Sequence, residues 1–359
     1  MGGRTHSSGG KRAFLGLIII LFLVGILYSG YLFYITIRDT VAYAQIPVLR
    51  QPPSASGYSM PPADAQGEDV QVKPQPLPRI QRKERVNILL LGIDERKSQN
   101  GPWRTDTMII LTVDPATKTA GLLSIPRDLW VPIPGFGENR INTAHFLGDL
   151  YKYPGGGVAL AKKTVQLNFG VPIHYYVRIN FLGFEKVIDA IGGIDIDVKK
   201  EINDPRYPDD NFGYDPLYIP VGHYHMDGEL ALKYARTRHG NSDFDRIKRQ
   251  QQVIMAVRDQ VMRLGLLPRL LPRLPQLVNS MGGAVQTDIP LSELWALGQL
   301  AREIDRDHIK IRTIDQTMTK PITTPKGQKV LLPDREKLRP LIDELFTSPS
   351  LLQPNSPQP

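Results

Sequence analysis

The chain of 359 residues contains no cysteine. Disulfides and thiolate metal sites are therefore excluded, and cysteine usage says nothing about the redox compartment. The sequence also lacks G-x-S-x-G and H-E-x-x-H, so serine-hydrolase and zincin chemistry have no support. Gly155-Gly156-Gly157 carries no following Lys-Ser/Thr, as a P-loop needs, and Gly135-x-Gly137 lacks its third glycine. His223 and His225 stand two apart with no third histidine nearby, a poor start for a zinc site. No internal repeat is present. Acidic surplus is missing as well: Lys and Arg number 44 against 36 Asp and Glu, a net charge of +8. Such a balance suits an anionic partner, whether nucleic acid, membrane headgroups or an anionic polymer.

Long apolar runs are scarce, but one is decisive. Residues 14–37 are uncharged and rich in Leu, Ile, Val and Phe. Roughly 20 apolar residues cross a bilayer as a helix, so this run spans one with some tilt. Tyr28, Tyr31 and Tyr34 crowd its far end, where interfacial aromatics belong. Arg4, Lys11 and Arg12 precede it without an acid, which keeps residues 1–13 in the cytoplasm. The run is long for a signal peptide and no prompt cleavage site follows, so it reads as an uncleaved single-pass anchor. Everything after it is then extracytoplasmic. A regulator that binds DNA does not fit this layout, because so short a cytoplasmic tail holds no DNA-binding domain. Residues 38–80 are rich in Pro, Ser, Gln and Gly and read as an extended stalk. Residues 347–359 read as a disordered tail. Between them, 81–346 is long enough to bury a core of its own.

That domain opens with three strand patterns, Val86 to Ile93, Thr107 to Val113 and Thr119 to Ile125. Asp114-Pro115 joins the last two as a hairpin. If the first strand runs antiparallel to the second, one end of the sheet gathers five charged residues. They are Asp94, Arg104, Asp106, Arg127 and Asp128. Helix and strand patterns then alternate: helices over Gly157 to Phe169 and Phe181 to Ile191, strands over Tyr175 to Ile179 and Ile194 to Val198. Asp227 caps a helix over 228–234 that feeds an extended Arg236–Arg238 segment. A further helix runs from Ser242 to about Met262. The pattern predicts an α/β fold, an α-β-α sandwich on a central mixed sheet.

The stretch from Arg236 to Gln252 holds five basic and two acidic residues. Arg236 and Arg238 point the same way if extended. Ser242 and Asp245 form a helix start signal, and Arg246 and Gln250 share a face four residues apart. A helix N-terminus beside converging guanidinium groups holds an anion with several oxygens, most simply a phosphate or diphosphate. Arg104, Arg127, Arg236, Arg238 and Arg246 form such a clamp, or else a structural ion-pair network with Asp106, Asp128 and Asp243. Asp94 and Asp106 are candidate magnesium ligands, or turn caps. Asp128 and Asp243 orient arginines, act as a base, or cap.

Five ordered blocks carry a resemblance. They are Asn87-Ile-Leu-Leu-Leu-Gly-Ile-Asp94, Arg104-Thr-Asp-Thr-Met108, Ser124-Ile-Pro-Arg-Asp128, Arg140-Ile-Asn-Thr-Ala144 and Ala235-Arg-Thr-Arg238 with Asp243-Phe-Asp-Arg246 and Arg249-Gln250. The chain resembles the LytR-CpsA-Psr family across about 85–262, with anchor and stalk in the same order. The resemblance implies a transferase of the cell membrane that acts outside the cytoplasm in cell-wall biogenesis. Its donor is a polyprenyl diphosphate-linked glycan such as a teichoic acid or capsular polysaccharide, and its acceptor is peptidoglycan. It implies an apolar tunnel for the lipid between sheet and helices. It also implies Mg2+ (or Mn2+) on Asp94 and Asp106. The implied diphosphate contacts are Arg104, Arg127, Arg236, Arg238 and Arg246, with Asp243 and Gln250 completing the pocket. Arg140, a further substrate-binding residue in this reading, stands where many relatives carry Lys, and residues beyond Met262 match poorly. A polyprenyl diphosphate phosphatase and a non-catalytic tether of anionic wall polymer are the competing readings. The oligomeric state is not legible.

Overall fold

The computed structural model describes residues 84–95, 101–209, 213–238, 243–265, 272 and 281–347. The anchor 14–37, the stalk, Ser242 and the tail beyond 347 lie outside them. Among the described residues no helix is long and apolar enough to cross a membrane.

A six-stranded mixed sheet organises the domain. Strands β1 (Val86–Ile93), β2 (Thr105–Asp114) and β3 (Thr119–Ser124) form an antiparallel meander, as expected. The β2–β3 turn is built by Asp114, whose Oδ1 accepts from the backbone of Ala116 at 2.9 Å and Thr117 at 3.4 Å. Strands β4 (Trp130–Ile133) and β5 (Gly137–Arg140) form a separate hairpin. Strand β6 (Tyr175–Asn180) lies parallel to β1 on its other side. Three short strands, β7 (Ile194–Val198), β8 (Ile202–Asp204) and β9 (Leu217–Ile219), and β10 (Gly222–Met226) make two satellite ribbons.

The C-terminal part, silent in the sequence, supplies both edges of the main sheet. β11 (Val285–Thr287) pairs antiparallel with β6, and β12 (Ile309–Thr313) pairs parallel with β3. A last hairpin, β13 (Thr319–Thr323) with β14 (Lys329–Pro333), follows.

Side chains alternate across β1 and β2, so each strand feeds two layers. Leu89, Leu91, Met108 and Ile110 enter a closed core on one face. Helices α1 (Thr143–Leu150) and α2 (Gly156–Phe169) and the C-terminal α7 (Arg335–Phe346) cover it through Leu147, Leu160, Val165, Leu338 and Leu341. On the other face, Val86, Ile88 and Val113 pack under α6 (Leu291–Glu303). Further along that face stand α3 (Phe181–Ala190), α4 (Gly228–Arg236) and α5 (Asp243–Arg263). Their own core joins Ile188, Ile194, Ala231, Tyr234 and Val253. The expected sandwich, with helices on both faces of a mixed sheet, is thus the observed one.

Helix α4 deserves a correction, because it carries a key arginine. Asp227 caps it as predicted, its Oδ1 accepting from Leu230 N–H at 2.9 Å. The helix does not stop at Tyr234 but runs through Arg236, and Thr237 then leaves it with an extended ψ of 142°. Arg236 is therefore helical, not part of a strand with Arg238. Packing fixes where α4 sits: a Cβ on Gly228 would lie 2.4 Å from the Glu185 carbonyl oxygen, so only glycine lets α4 approach α3 this closely.

Candidate functional site

The end of the sheet where β1 exits and β2 enters holds the predicted charges. A register shift between Gly92 and Ile93 sets Ile93 opposite Thr105, and Asp106 follows directly. Arg127, just past β3, donates Nη1–H to Asp106 Oδ1 at 2.7 Å. Arg238 donates Nη2–H to the other oxygen at 3.0 Å. Arg246, on the first turn of α5, reaches the Asp106 backbone carbonyl at 3.3 Å and the Asp243 carboxylate at 2.9 Å. Arg127 Nε also lies 3.7 Å from Asp128 and 3.8 Å from Asp243.

Electrostatics follow from this crowding. Burial works against the ionised form of Asp106, yet Arg127, Arg238 and Arg246 outweigh it and hold the carboxyl below its usual range. Burial likewise opposes the charge on Arg127, but Asp106, Asp243 and Asp128 more than offset it and raise its pKa. Arg246 ends the other way. Its burial dominates and, despite Asp243, pushes it down to about 10. It is 2% exposed, and its Nε has no hydrogen-bond partner among the described residues. A buried, incompletely paired guanidinium costs free energy that an incoming anion would recover.

Arg236 belongs to a different wall. Its guanidinium lies 3.8 Å above the Phe181 ring and donates to the Tyr207 hydroxyl at 3.1 Å. Between Arg236 and Arg238, the Thr237 hydroxyl donates to Asp204 Oδ2 at 2.6 Å. Arg249, nearly buried, donates Nε–H to the Tyr234 carbonyl at 2.9 Å and a second N–H to the Thr237 carbonyl. One guanidinium fork thereby ties a carbonyl in the last turn of α4 to the carbonyl of Thr237 just beyond it and holds the Arg236–Arg238 backbone in place.

Between the sheet and α3, α4 and α5 lies a cavity of about 740 Å³. That volume is in the upper part of the range typical of ligand pockets, about 300–1,000 Å³. Its interior is apolar, with Leu90, Ile109 and Val177 from the sheet and Phe184, Leu232 and Ile254 from the helices. Its polar lining contains Asp94, Asp106, Arg127, Arg236, Arg238, Arg246 and Gln250, all predicted. Four predicted residues do not line it. Arg104 instead stacks 5.6 Å from the Phe146 ring, and Arg140 pairs with Asp128 at 3.0 Å. Asp243 serves the site through Arg246 and Arg127. The lining also includes Asn180, Asp204 and Arg206, which sequence reasoning did not single out. Asn180 caps α3 with its side chain on Gly183 N–H at 2.9 Å, and an Asn before a helix was the available signal. Nothing in sequence spacing linked Asp204 or Arg206 to the arginines more than 25 residues onward.

The residues present fit a magnesium ion. Asp94 and Asp106 both offer hard oxygen donors on the lining of one cavity. Each Asp106 oxygen accepts one guanidinium hydrogen bond and keeps acceptor capacity. Among the described residues no third His, Asp or Glu completes a metal cluster. Magnesium takes one or two carboxylates and fills its shell with water and substrate phosphate, so two suffice.

Comparison with known proteins agrees with this geometry. A polyisoprenyl-teichoic acid–peptidoglycan teichoic acid transferase, TagU of Oceanobacillus iheyensis, is 36% identical over 217 residues, covering 60% of this chain and 62% of the relative. The chain thus spans about three-fifths of the length of such curated relatives. Bacillus subtilis TagV superposes with a TM-score of 0.58 at 30% identity, over 74% of this chain and 98% of TagV. YwtF (TagT), solved with bound octaprenyl pyrophosphate lipid, superposes with a TM-score of 0.52 at 26% identity, over 73% of this chain and 89% of that one. The LytR_cpsA_psr family model matches residues 54–346, most of the sequence, and the chain belongs to the LytR-CpsA-Psr family.

Proposed function

We propose that this protein is an extracytoplasmic phosphotransferase anchored by residues 14–37. It moves a glycan phosphate from a polyprenyl diphosphate carrier to a sugar hydroxyl of peptidoglycan and releases polyprenyl phosphate. The observation that carries this reading is the cavity: an apolar interior sized for part of a lipid tail, lined at its polar part by five arginines and three carboxylates. A relative solved with octaprenyl pyrophosphate and another named a teichoic acid transferase support it.

The chemistry requires one bond to form and one to break. The acceptor hydroxyl oxygen bonds to the phosphorus attached to the glycan, and the bond from that phosphorus to the bridging diphosphate oxygen breaks. The electron pair leaves on polyprenyl phosphate, and the hydroxyl proton passes to a carboxylate. Asp94 lines the cavity, and Asp106 is a weakened base, because its neighbours hold it ionised. With Asp94 and Asp106 as the magnesium ligands of this reading, the proton acceptor is Asp128 or Asp243, which lie 3.7 and 3.8 Å from Arg127. Arg127, Arg238 and Arg246 stand fixed around the place where negative charge grows, so little reorganisation is needed during transfer. Asp94 and Asp106 would hold a magnesium ion, which would supply Lewis-acid neutralisation of the same charge.

The test uses the 359-residue chain in detergent with a polyprenyl diphosphate glycan, magnesium and a peptidoglycan oligomer. A new phosphodiester between glycan and peptidoglycan is the expected product. Polyprenyl phosphate released with no acceptor product would instead make the protein a phosphatase. Polymer binding without either product would make it a tether.

A further inference from the structure

The five arginines of the cavity fall into two electrostatic groups. Arg127, Arg238 and Arg246 share the carboxylates of Asp106, Asp128 and Asp243. Among the described residues Arg236 bonds only neutral groups, stacking on Phe181 and donating to Tyr207. Arg206 lines the same cavity, is exposed, and has no ion-pair partner among the described residues. Around Asp106 four arginines, counting Arg140 on Asp128, face three carboxylates, and Arg206 and Arg236 add two charges with no carboxylate partner among the described residues.

This wall is built, not incidental. Asp204, 4% exposed, is a single buried carboxylate that serves two segments. Its Oδ1 accepts from the Arg206 backbone N–H at 3.2 Å, and its Oδ2 from the Thr237 hydroxyl at 2.6 Å. The next residue, Tyr207, is buried and holds Arg236 through its hydroxyl. Two hydrogen bonds and a ring contact thus stitch the Asp204–Pro208 turn to the Arg236–Arg238 segment. Arg206 is locked into that seam by its own backbone, while its side chain has no ion-pair partner among the described residues.

Resting on the donor reading given above, we infer that Arg206 is a further substrate-binding residue, and that Asp204 is the positioning residue that sets it beside Arg236. The ligand chemistry is a phosphoryl oxygen of the donor. That oxygen belongs either to the carrier diphosphate or to a phosphate of the attached polymer. An arginine with no ion pair to a described residue makes a charge-assisted contact without first breaking such a pair, so its contribution goes into binding.

The experiment measures affinity and turnover separately on the chain in detergent, using geranylgeranyl diphosphate and a polymer-bearing polyprenyl diphosphate. Arg206→Ala should weaken one or both probes about tenfold, in line with loss of one charge-assisted hydrogen bond, and raise KM while kcat changes little. Arg206→Lys should recover most of the affinity, because charge rather than the fork is the main requirement. Weakening of the glycan-free probe assigns the contact to the diphosphate. Weakening of the polymer-bearing donor alone assigns it to the polymer. Asp204→Asn should reproduce the KM effect with Thr237 and Arg206 loosened together. Unchanged affinity for both probes in Arg206→Ala overturns the inference. A wild-type protein that binds neither probe defeats the donor reading itself, which is a different result.

Discussion

The two faces of the central sheet are made from the same kinds of residue and end in different states. On one face Leu89 and Ile110 are fully buried in a closed core beneath α2 and α7. On the other, Leu90, Ile109 and Val177 line an open cavity beneath α3, α4 and α5. Hydrophobicity alone cannot distinguish them, since strand alternation assigns apolar residues to both. What differs is the covering layer. Helices α2 and α7 pack directly on their face, whereas α3, α4 and α5 put their shared core into one another and into the satellite strands. Helices that satisfy one another leave the sheet uncovered, and the gap is the site.

The largest expected effects separate the faces. Leu89→Ala should cost about 2–5 kcal/mol, read as a fall in the denaturation midpoint, because a closed core leaves a cavity behind. Val177→Phe should leave the midpoint near wild type, since there is room for the ring, while geranylgeranyl diphosphate binding falls sharply. Equal destabilisation by both changes would mean that the cavity is in fact tightly filled. Overpacking a filled core costs about 1–3 kcal/mol, which sets the scale for that outcome.

Next in size is Arg238→Ala. Arg238 is half-exposed and pairs, among the described residues, with Asp106, so its removal should spare the fold. Turnover should fall by about 10²–10³, the usual consequence of losing one preorganised donor to developing charge. Normal turnover would remove Arg238 from the mechanism and return the arginine cluster to a structural role.

The meander was legible in the sequence. The apolar and β-branched runs of β1 and β2, the Asp114-Pro115 turn and the cap at Asp227 are local signals, and each depends on residues within a few positions. The convergence of Asp94, Asp106 and Arg127 was legible for the same reason, because one antiparallel pairing produces it. The role of the C-terminal strands was not. β11 and β12 are short edge strands whose partners lie more than 100 residues away, and pairing over such distances leaves no local pattern. Arg236 and Arg238 were placed on one surface by assuming an extended segment. The helix instead continues to Arg236 because Arg249 supplies a partner for the carbonyls at its end. Arg104 and Arg140 carried the right charge in the right blocks, but aromatic and ionic partners outside the cavity claim their side chains.

That role of Arg249 gives a smaller test. Arg249→Lys retains charge but cannot bond two carbonyls at once. About a tenfold loss of diphosphate affinity is expected, comparable to about 1.4 kcal/mol, although Arg249 itself faces neither wall of the cavity. The midpoint should fall modestly. If binding is unaffected while stability drops, the fork holds the helix but does not aim the arginines.

The smallest effect is an acid limb that belongs to the polar wall alone. Asp106 has a folded pKa below its ordinary 3.8, because its arginine neighbours outweigh the burial that opposes ionisation. A depressed acid contributes stability that is present above the unfolded pKa and lost as pH falls through the folded one. The pairs to Arg127 and Arg238 should therefore weaken below about pH 4, the region of the ordinary aspartate value, and not near neutrality. Only partly shielded from water, they contribute less than a fully buried pair. Asp106→Asn should lower stability at pH 7 and flatten this limb, since the amide has no proton to gain. The closed-face variant Leu89→Ala should shift the whole curve down without changing its shape. If the two variants alter the pH profile in the same way, the acid limb arises elsewhere, and Asp106 is not held ionised by the arginines that surround it.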